Sequence, residues 1–275
     1  MLQIRTITTF EDPALVPYQT MRRHEEHKQQ NIFVAEGEKV VRRLLESPFQ
    51  VVSVVLPPHW LEPLRPLLDA RSEDIQVFLG EKKLLETLTG FSMYQGLMAV
   101  GQIPTLPTLE DILARSPHPR FFVAVDGLSS ADNLGVVVRN CTAFGVQALI
   151  IGETSSSPYL RRAIRSSMGT IFKLPVIEVE NLAATLFTLR NQGVRSVAAH
   201  PHVEGRTLYQ AELKNDCCIV LGSEGEGIRP KILSACDEAV AVPMHLGVDS
   251  LNVGSAAAVF LYEVTRQRSQ TGRKE

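Results

Sequence analysis

The stretch DNLGVVVRNCTAFG, Asp132 to Gly145, sets a single arginine, Arg139, among residues fit for burial. An arginine in that position snorkels to water, pairs with a buried carboxylate, or faces a ligand. Gly135 lies four residues earlier on the same helical face and would leave room beside the guanidinium, while Asn133 opens the helix with an amide at the same mouth. A second stretch, GSEGEGI, spaces Gly222, Gly225 and Gly227 around Glu224 and Glu226. The glycines let a ligand approach the backbone, but two carboxylates repel phosphate, so the pattern suits a ligand that is positive or donates hydrogen bonds. In a third, PMHLGVDSLNVGSAAAVF, Asp249 or Ser250 caps a helix and Asn252 falls in its first turn, where free backbone N–H groups and polar side chains converge. The small residues from Gly254 to Ala258 would let neighbouring loops pack very close to that helix.

The elements implied by hydrophobic periodicity put all three stretches at strand ends. From residue 121 the chain alternates apolar strands (FFVAV, QALIIG, LPVIEV, RSVAAH, CCIVL, AVAVPM) with helical patterns that include NLGVVVRNCTAFG, SPYLRRAIRSSMG and SLNVGSAAAVFLYEVTRQR. Continuous apolar strands between helices mean a parallel sheet covered on both faces, and such sheets bind ligands at the carboxyl ends of their strands. Ahead of it, VVSVVL, IQVFL and GLMAVGQ read as buried strands of a smaller α/β domain, with a helix in EKKLLETL. The prolines at 104, 107, 117 and 119 mark a connection with a short helix. The expected layout is a domain of residues 1–103, a linker over 104–118 and a second domain over 119–275.

At 275 residues, 44% hydrophobic and 21% charged, the chain builds its own core. A net charge of -2 gives no global pull toward nucleic acid or membranes, so any nucleic-acid site is a local patch. Four cysteines without a CxxC pair read as reduced thiols of a cytoplasmic protein, and no metal set is expected. No signal peptide or membrane span is apparent. GSEGEG lacks the GxGxxG spacing and lies late in the chain, which disfavours a dinucleotide-binding enzyme.

Taken in order, NLGVVVRNCTAFG, IVLGSEGEGI and VPMHLGVDSLNVGSAAAVFLYE resemble the three motifs of the SpoU (TrmH-like) family of RNA 2′-O-ribose methyltransferases. RRAIRSSMGTIFKLPV resembles that family's linker between the first two motifs, and FVAEGEKVVRRLL resembles the helix of the substrate-binding domain often fused in front. The resemblance implies an α/β, SPOUT-like methyltransferase domain with a C-terminal trefoil knot, preceded by a small α/β substrate-binding domain. It also implies S-adenosylmethionine as cofactor, RNA as partner and a homodimer. Carried over by position, Asn133, Arg139, Glu224, Ser250 and Asn252 are the catalytic set. Ala199, His200, Gly222, Gly227, Val242, Met244 and Leu251 are the cofactor contacts. Where other members have Asp-Pro before the motif asparagine, this chain has Ser130-Ala131, a departure that bears on the turn carrying Asn133.

Methyl transfer to a ribose hydroxyl requires in-line positioning and removal of a proton. Arg139 would act as general base in an altered environment, or as a clamp on phosphate and on the developing alkoxide, because a guanidinium ordinarily keeps its proton to about pH 12. Positive charge for RNA comes from MRRHEEHKQQ, with Arg22, Arg23 and Lys28, and from RRAIRSS, where Arg161 and Arg165 share a helical face. Ribosomal RNA is the expected acceptor; transfer RNA and a non-catalytic RNA-binding role are the alternatives.

Overall fold

The computed structural model describes residues 2–89, 96–201, 206–245 and 247–269. They form two compact units: Met1–Thr105 together with Tyr159–Lys173, and Leu106–Pro158 together with Leu174–Glu275. Among the described residues no helix is long and apolar enough to cross a membrane.

The first unit holds a five-stranded sheet of β1 (Leu2–Thr6), β2 (Ile32–Glu36), β3 (Val51–Leu56), β4 (Ile75–Leu79) and β5 (Met98–Gln102), in the order β1-β4-β3-β5-β2. β1, β4 and β3 run parallel, and β5 is antiparallel to both β3 and β2. β2 differs from the expectation of helix through FVAEG: its residues Phe33 to Ala35 are buried, and the helix begins only at Glu38, after Gly37 at φ +95°. A glycine takes that turn without strain. β1 is an edge strand with mostly exposed side chains and carries no apolar run that periodicity would register.

Tyr159–Lys173 belongs to this first unit, a difference from the sequence expectation of a C-terminal domain over residues 119–275. The cause is aromatic and ionic. Phe33 stacks on Phe172 at 5.5 Å and on Tyr159 at 6.1 Å, Phe49 meets the edge of Phe172, and Arg161 pairs with Glu36. Each offset aromatic pair contributes about 0.5–1.5 kcal/mol beyond its buried area. Gly101 opposes Phe33 across β2 and β5, and any Cβ there would fall 2.3 Å from the Phe33 ring.

The second unit is a six-stranded, wholly parallel sheet. Its strands are β6 (Phe121–Val125), β7 (Ala148–Ile151), β8 (Val176–Glu178), β9 (Arg195–Ala199), β10 (Cys217–Leu221) and β11 (Glu238–Val240), ordered β11-β9-β10-β6-β7-β8. β6, β7 and β10 are buried throughout, as their unbroken apolar runs require of a sheet covered on both faces. The helix Leu182–Asn191 packs one face, sharing a core of Phe122, Ile150, Leu186, Leu189 and Ile232.

The helix Ala131–Ala143 starts two residues before Asn133. Its cap is Ser130, whose Oγ accepts the Asn133 N–H at 3.3 Å. The last helix, Val253–Ser269, is capped by Asn252, not by Asp249 or Ser250: Asn252 Oδ1 accepts the Gly254 N–H at 2.9 Å. Its small residues meet a helix instead of loops. A Cβ on Gly254 would lie 2.5 Å from Val136 Cγ1, and Asn140 Nδ2 donates to the Gly254 carbonyl at 2.7 Å.

Candidate functional site

The carboxyl ends of β9, β10 and β11 open into a cavity of about 180 Å3, several times the roughly 30 Å3 of a water. Ala199 and His200 line it from β9 and the turn beyond; Gly222 and Gly227 line it from the loop after β10. Val242, Met244 and Leu251 complete the wall, with Ser250 and Glu224 also on the lining. Val253 and Phe260 of the last helix add apolar surface. The described residues on this lining include two carboxylates, Glu224 and Glu226, and no Lys or Arg. Such a lining favours a cationic ligand over a phosphate.

The loop 222–227 is a closed hairpin in which Ser223 and Gly227 exchange both backbone hydrogen bonds, at 3.0 and 3.1 Å. Its legs touch: a Cβ on Gly222 would lie 2.2 Å from the Gly227 carbonyl carbon. Gly225 and Gly227, by contrast, face open space, and Gly227 has φ +67°. That leaves a ligand room to approach the chain at Gly225 and Gly227.

Glu224, at the hairpin's tip, accepts a hydrogen bond from Asn133 Nδ2. Asn133 Oδ1 accepts from Asn252 Nδ2 at 3.3 Å, and Asn252 Oδ1 accepts the Gly254 N–H. The orientation of both carboxamides follows from the chain's two ends, because a carboxylate only accepts and a backbone N–H only donates. Three distant stretches are thus joined in one directed line. Each carboxamide keeps a second N–H, and Glu224 a second oxygen, for another partner.

Arg139 is outside this line and outside the cavity lining; it is exposed on the helix Ala131–Ala143 while Gly135 on the same helix is buried. Of the residues expected to meet RNA, Arg22, Arg23 and Lys28 are exposed, with Arg23 Nη1 3.0 Å from Glu26. Arg161 is not an open cation: its side chain is 12% exposed and its charge is answered by Glu36. Arg165 is exposed, 3.9 Å from the same carboxylate.

Sequence reasoning missed one charged cluster beside the cavity. Asp126, fully buried at the end of β6, accepts the Arg229 backbone N–H and Nε, each at 2.8 Å, and Arg229 Nη2 reaches Glu153 at 2.9 Å. The Asp126 bond raises the Arg229 guanidinium above its ordinary value. Burial pushes Glu153 up, but the Leu182 N–H and Arg229 outweigh it and hold its carboxyl below the usual range. The available signal was a charged residue closing the apolar strand FFVAV. Thiol chemistry is disfavoured, since burial pushes Cys217 up to about 11 and Cys236 up to about 12.

Known proteins share this architecture. A crystal structure described as an RNA 2′-O ribose methyltransferase matches with a TM-score of 0.79 and 26% identity, over 97% of this chain and 100% of that one. The 23S rRNA (guanosine-2′-O-)-methyltransferase RlmB of Photorhabdus laumondii subsp. laumondii is 34% identical over 239 residues, 85% of this chain and 97% of the relative. RlmB of Escherichia coli (strain K12) is 32% identical over 210 residues, 75% and 86% of the two chains. The parallel sheet, the hairpin at its strand ends and these likenesses define a methyltransferase. The model of the SpoU rRNA Methylase family matches residues 120–262, and the chain belongs to that family.

Proposed function

We propose that the chain transfers a methyl group from S-adenosylmethionine to a ribose 2′-hydroxyl of RNA, with ribosomal RNA as acceptor. The observation that carries this reading is the directed line from Glu224 through Asn133 to Asn252 beside a carboxylate-lined cavity at the strand ends. The 23S rRNA specificity named for the RlmB relatives supports the choice of acceptor.

The cavity fits the cofactor by charge and by surface. S-adenosylmethionine supplies an electrophilic methyl on a sulfonium. Backbone groups of Ala199, His200, Gly222, Gly227, Val242 and Met244 hold its polar edges, and Leu251 covers an apolar face. The absence of Lys and Arg from the described lining suits its positive charge.

Asn133 and Asn252 offer their second N–H groups, Glu224 its second oxygen and Ser250 its hydroxyl to the acceptor ribose. Holding that ribose is the larger part of the work, because in-line transfer is dominated by positioning. Arg139 contacts the nucleotide's phosphate and either accepts the 2′-hydroxyl proton or stabilises the developing alkoxide.

The assembly is a homodimer. Val136, Val259 and Tyr262, apolar yet exposed on the two packed helices, support an interface there. The first unit binds the RNA through Arg22, Arg23, Lys28 and Arg165, the C-terminal segment forms the trefoil knot of its family, and the protein works in the cytoplasm.

The experiment is transfer of labelled methyl from S-adenosylmethionine to separated ribosomal and transfer RNA from cells lacking the protein. Label in the ribosomal fraction is expected. Label confined to transfer RNA would overturn the acceptor, and cofactor binding with no transfer to any RNA would favour the non-catalytic alternative.

A further inference from the structure

We infer that Asp126 and Arg229 are positioning residues of the cofactor cavity, clamping both legs of the hairpin that forms its wall; the inference rests on the methyltransferase reading above. Asp126 touches each leg. Its backbone N–H donates to the Leu221 carbonyl at 2.8 Å, immediately before the hairpin, and its carboxylate accepts the Arg229 N–H at 2.8 Å, immediately after it. The guanidinium of Arg229 folds back onto the same carboxylate through Nε at 2.8 Å.

Asp126 has no exposed surface, and leaving a buried carboxylate without its partner is strongly destabilising. Arg229 extends the clamp sideways to Glu153, which accepts the Leu182 N–H at 3.0 Å and so ties the hairpin to the end of β7 and the start of the helix Leu182–Asn191. Between the clamped legs the Ser223–Gly227 pair closes the base, and only the tip from Glu224 to Glu226 projects. The clamp therefore sets two positions together: the backbone of Gly222 and Gly227 against the cofactor, and the reach of Glu224 to Asn133. Releasing either leg lets the hairpin swing while the sheet beneath it stays buried.

The test uses the full-length protein and the variants Asp126→Asn, Arg229→Ala and Arg229→Lys, at a temperature where circular dichroism shows each folded. S-adenosylmethionine affinity is read by calorimetry, RNA affinity by filter binding, and loop protection by amide hydrogen exchange. We expect Arg229→Ala and Asp126→Asn to raise the cofactor dissociation constant at least tenfold, with RNA affinity within twofold. Exchange should rise at Ser223 and Gly227 but not in β10, and Arg229→Lys should fall between wild type and alanine. Arg229→Ala leaves the backbone bond to Asp126 in place and is the variant that keeps the test open if Asp126→Asn does not fold. Wild-type cofactor affinity in a folded Arg229→Ala protein overturns the inference, as does a uniform rise in exchange across the sheet. If the wild-type protein itself binds no S-adenosylmethionine, the methyltransferase reading fails, and the exchange pattern alone decides the clamp.

Discussion

Asn133 and Glu224, 91 residues apart in the chain, share a hydrogen bond that leaves the Asn133 carboxamide one orientation. With Nδ2 committed to the carboxylate, Oδ1 must accept, and Asn252 supplies the donor. These two hydrogen bonds hold three stretches distant in sequence in one fixed arrangement.

Asn252 both caps the last helix and continues this line, and the two roles separate by substitution. Asn252→Asp keeps the oxygen that accepts the Gly254 N–H but replaces the donor facing Asn133 with a second acceptor. Stability within about 0.5 kcal/mol of wild type and at least a tenfold loss of kcat are expected for Asn252→Asp. Asn252→Ala should lose both activity and about 1 kcal/mol of stability. Urea denaturation alongside steady-state kinetics reads both.

Arg139 stands apart from the cavity lining, so its removal should spare the cofactor. Arg139→Ala is expected to bind S-adenosylmethionine within threefold of wild type while turnover falls by about 100-fold or more, the scale for removing a charge-stabilising group. Unchanged methylation by this variant would take Arg139 out of the chemistry.

Gly254 marks the closest approach of the two packed helices. Gly254→Ala drives a methyl to 2.5 Å from Val136 Cγ1 and should cost about 1–3 kcal/mol. Adding Val136→Ala should return a large part of that loss, a non-additivity that a double-mutant cycle measures directly.

Glu73 gives the first unit an acid-sensitive tie. Burial pushes its carboxyl up, but the Arg71 guanidinium and the Val51 N–H outweigh this and bring it to about 2, from an ordinary 4.5. A carboxyl lowered on folding stabilises fully above its unfolded value, and the contribution is lost as pH falls through the folded one. The melting temperature of wild type should therefore approach that of Glu73→Gln between about pH 4.5 and pH 2. A constant gap across that range would contradict the assignment.

The inner strands of the second unit were legible because burial on both faces leaves unbroken apolar runs such as CCIVL and FFVAV. β1 was not, since an exposed edge strand writes no such run, and β2 was hidden by the apolar start of a segment that continues as helix. Ala199, His200, Gly222, Gly227, Val242, Met244 and Leu251, singled out by the family resemblance, line one cavity. Helix starts were misplaced by two or three residues, as caps depend on backbone geometry and not on residue type alone. Asp126 and Arg229 escaped notice because a lone acid and a lone base 103 residues apart acquire meaning only when the sheet joins them. Arg161 looked like an open cation for the same reason: its partner, Glu36, lies 125 residues away.

Alkaline hydrolysis of the labelled RNA product separates transfer to a ribose 2′-hydroxyl from transfer to a base. A 2′-O-methyl group removes the hydroxyl that attacks the adjacent phosphodiester, so the label should emerge in an alkali-resistant dinucleotide. Label released in mononucleotides, carried on the base, would contradict the account.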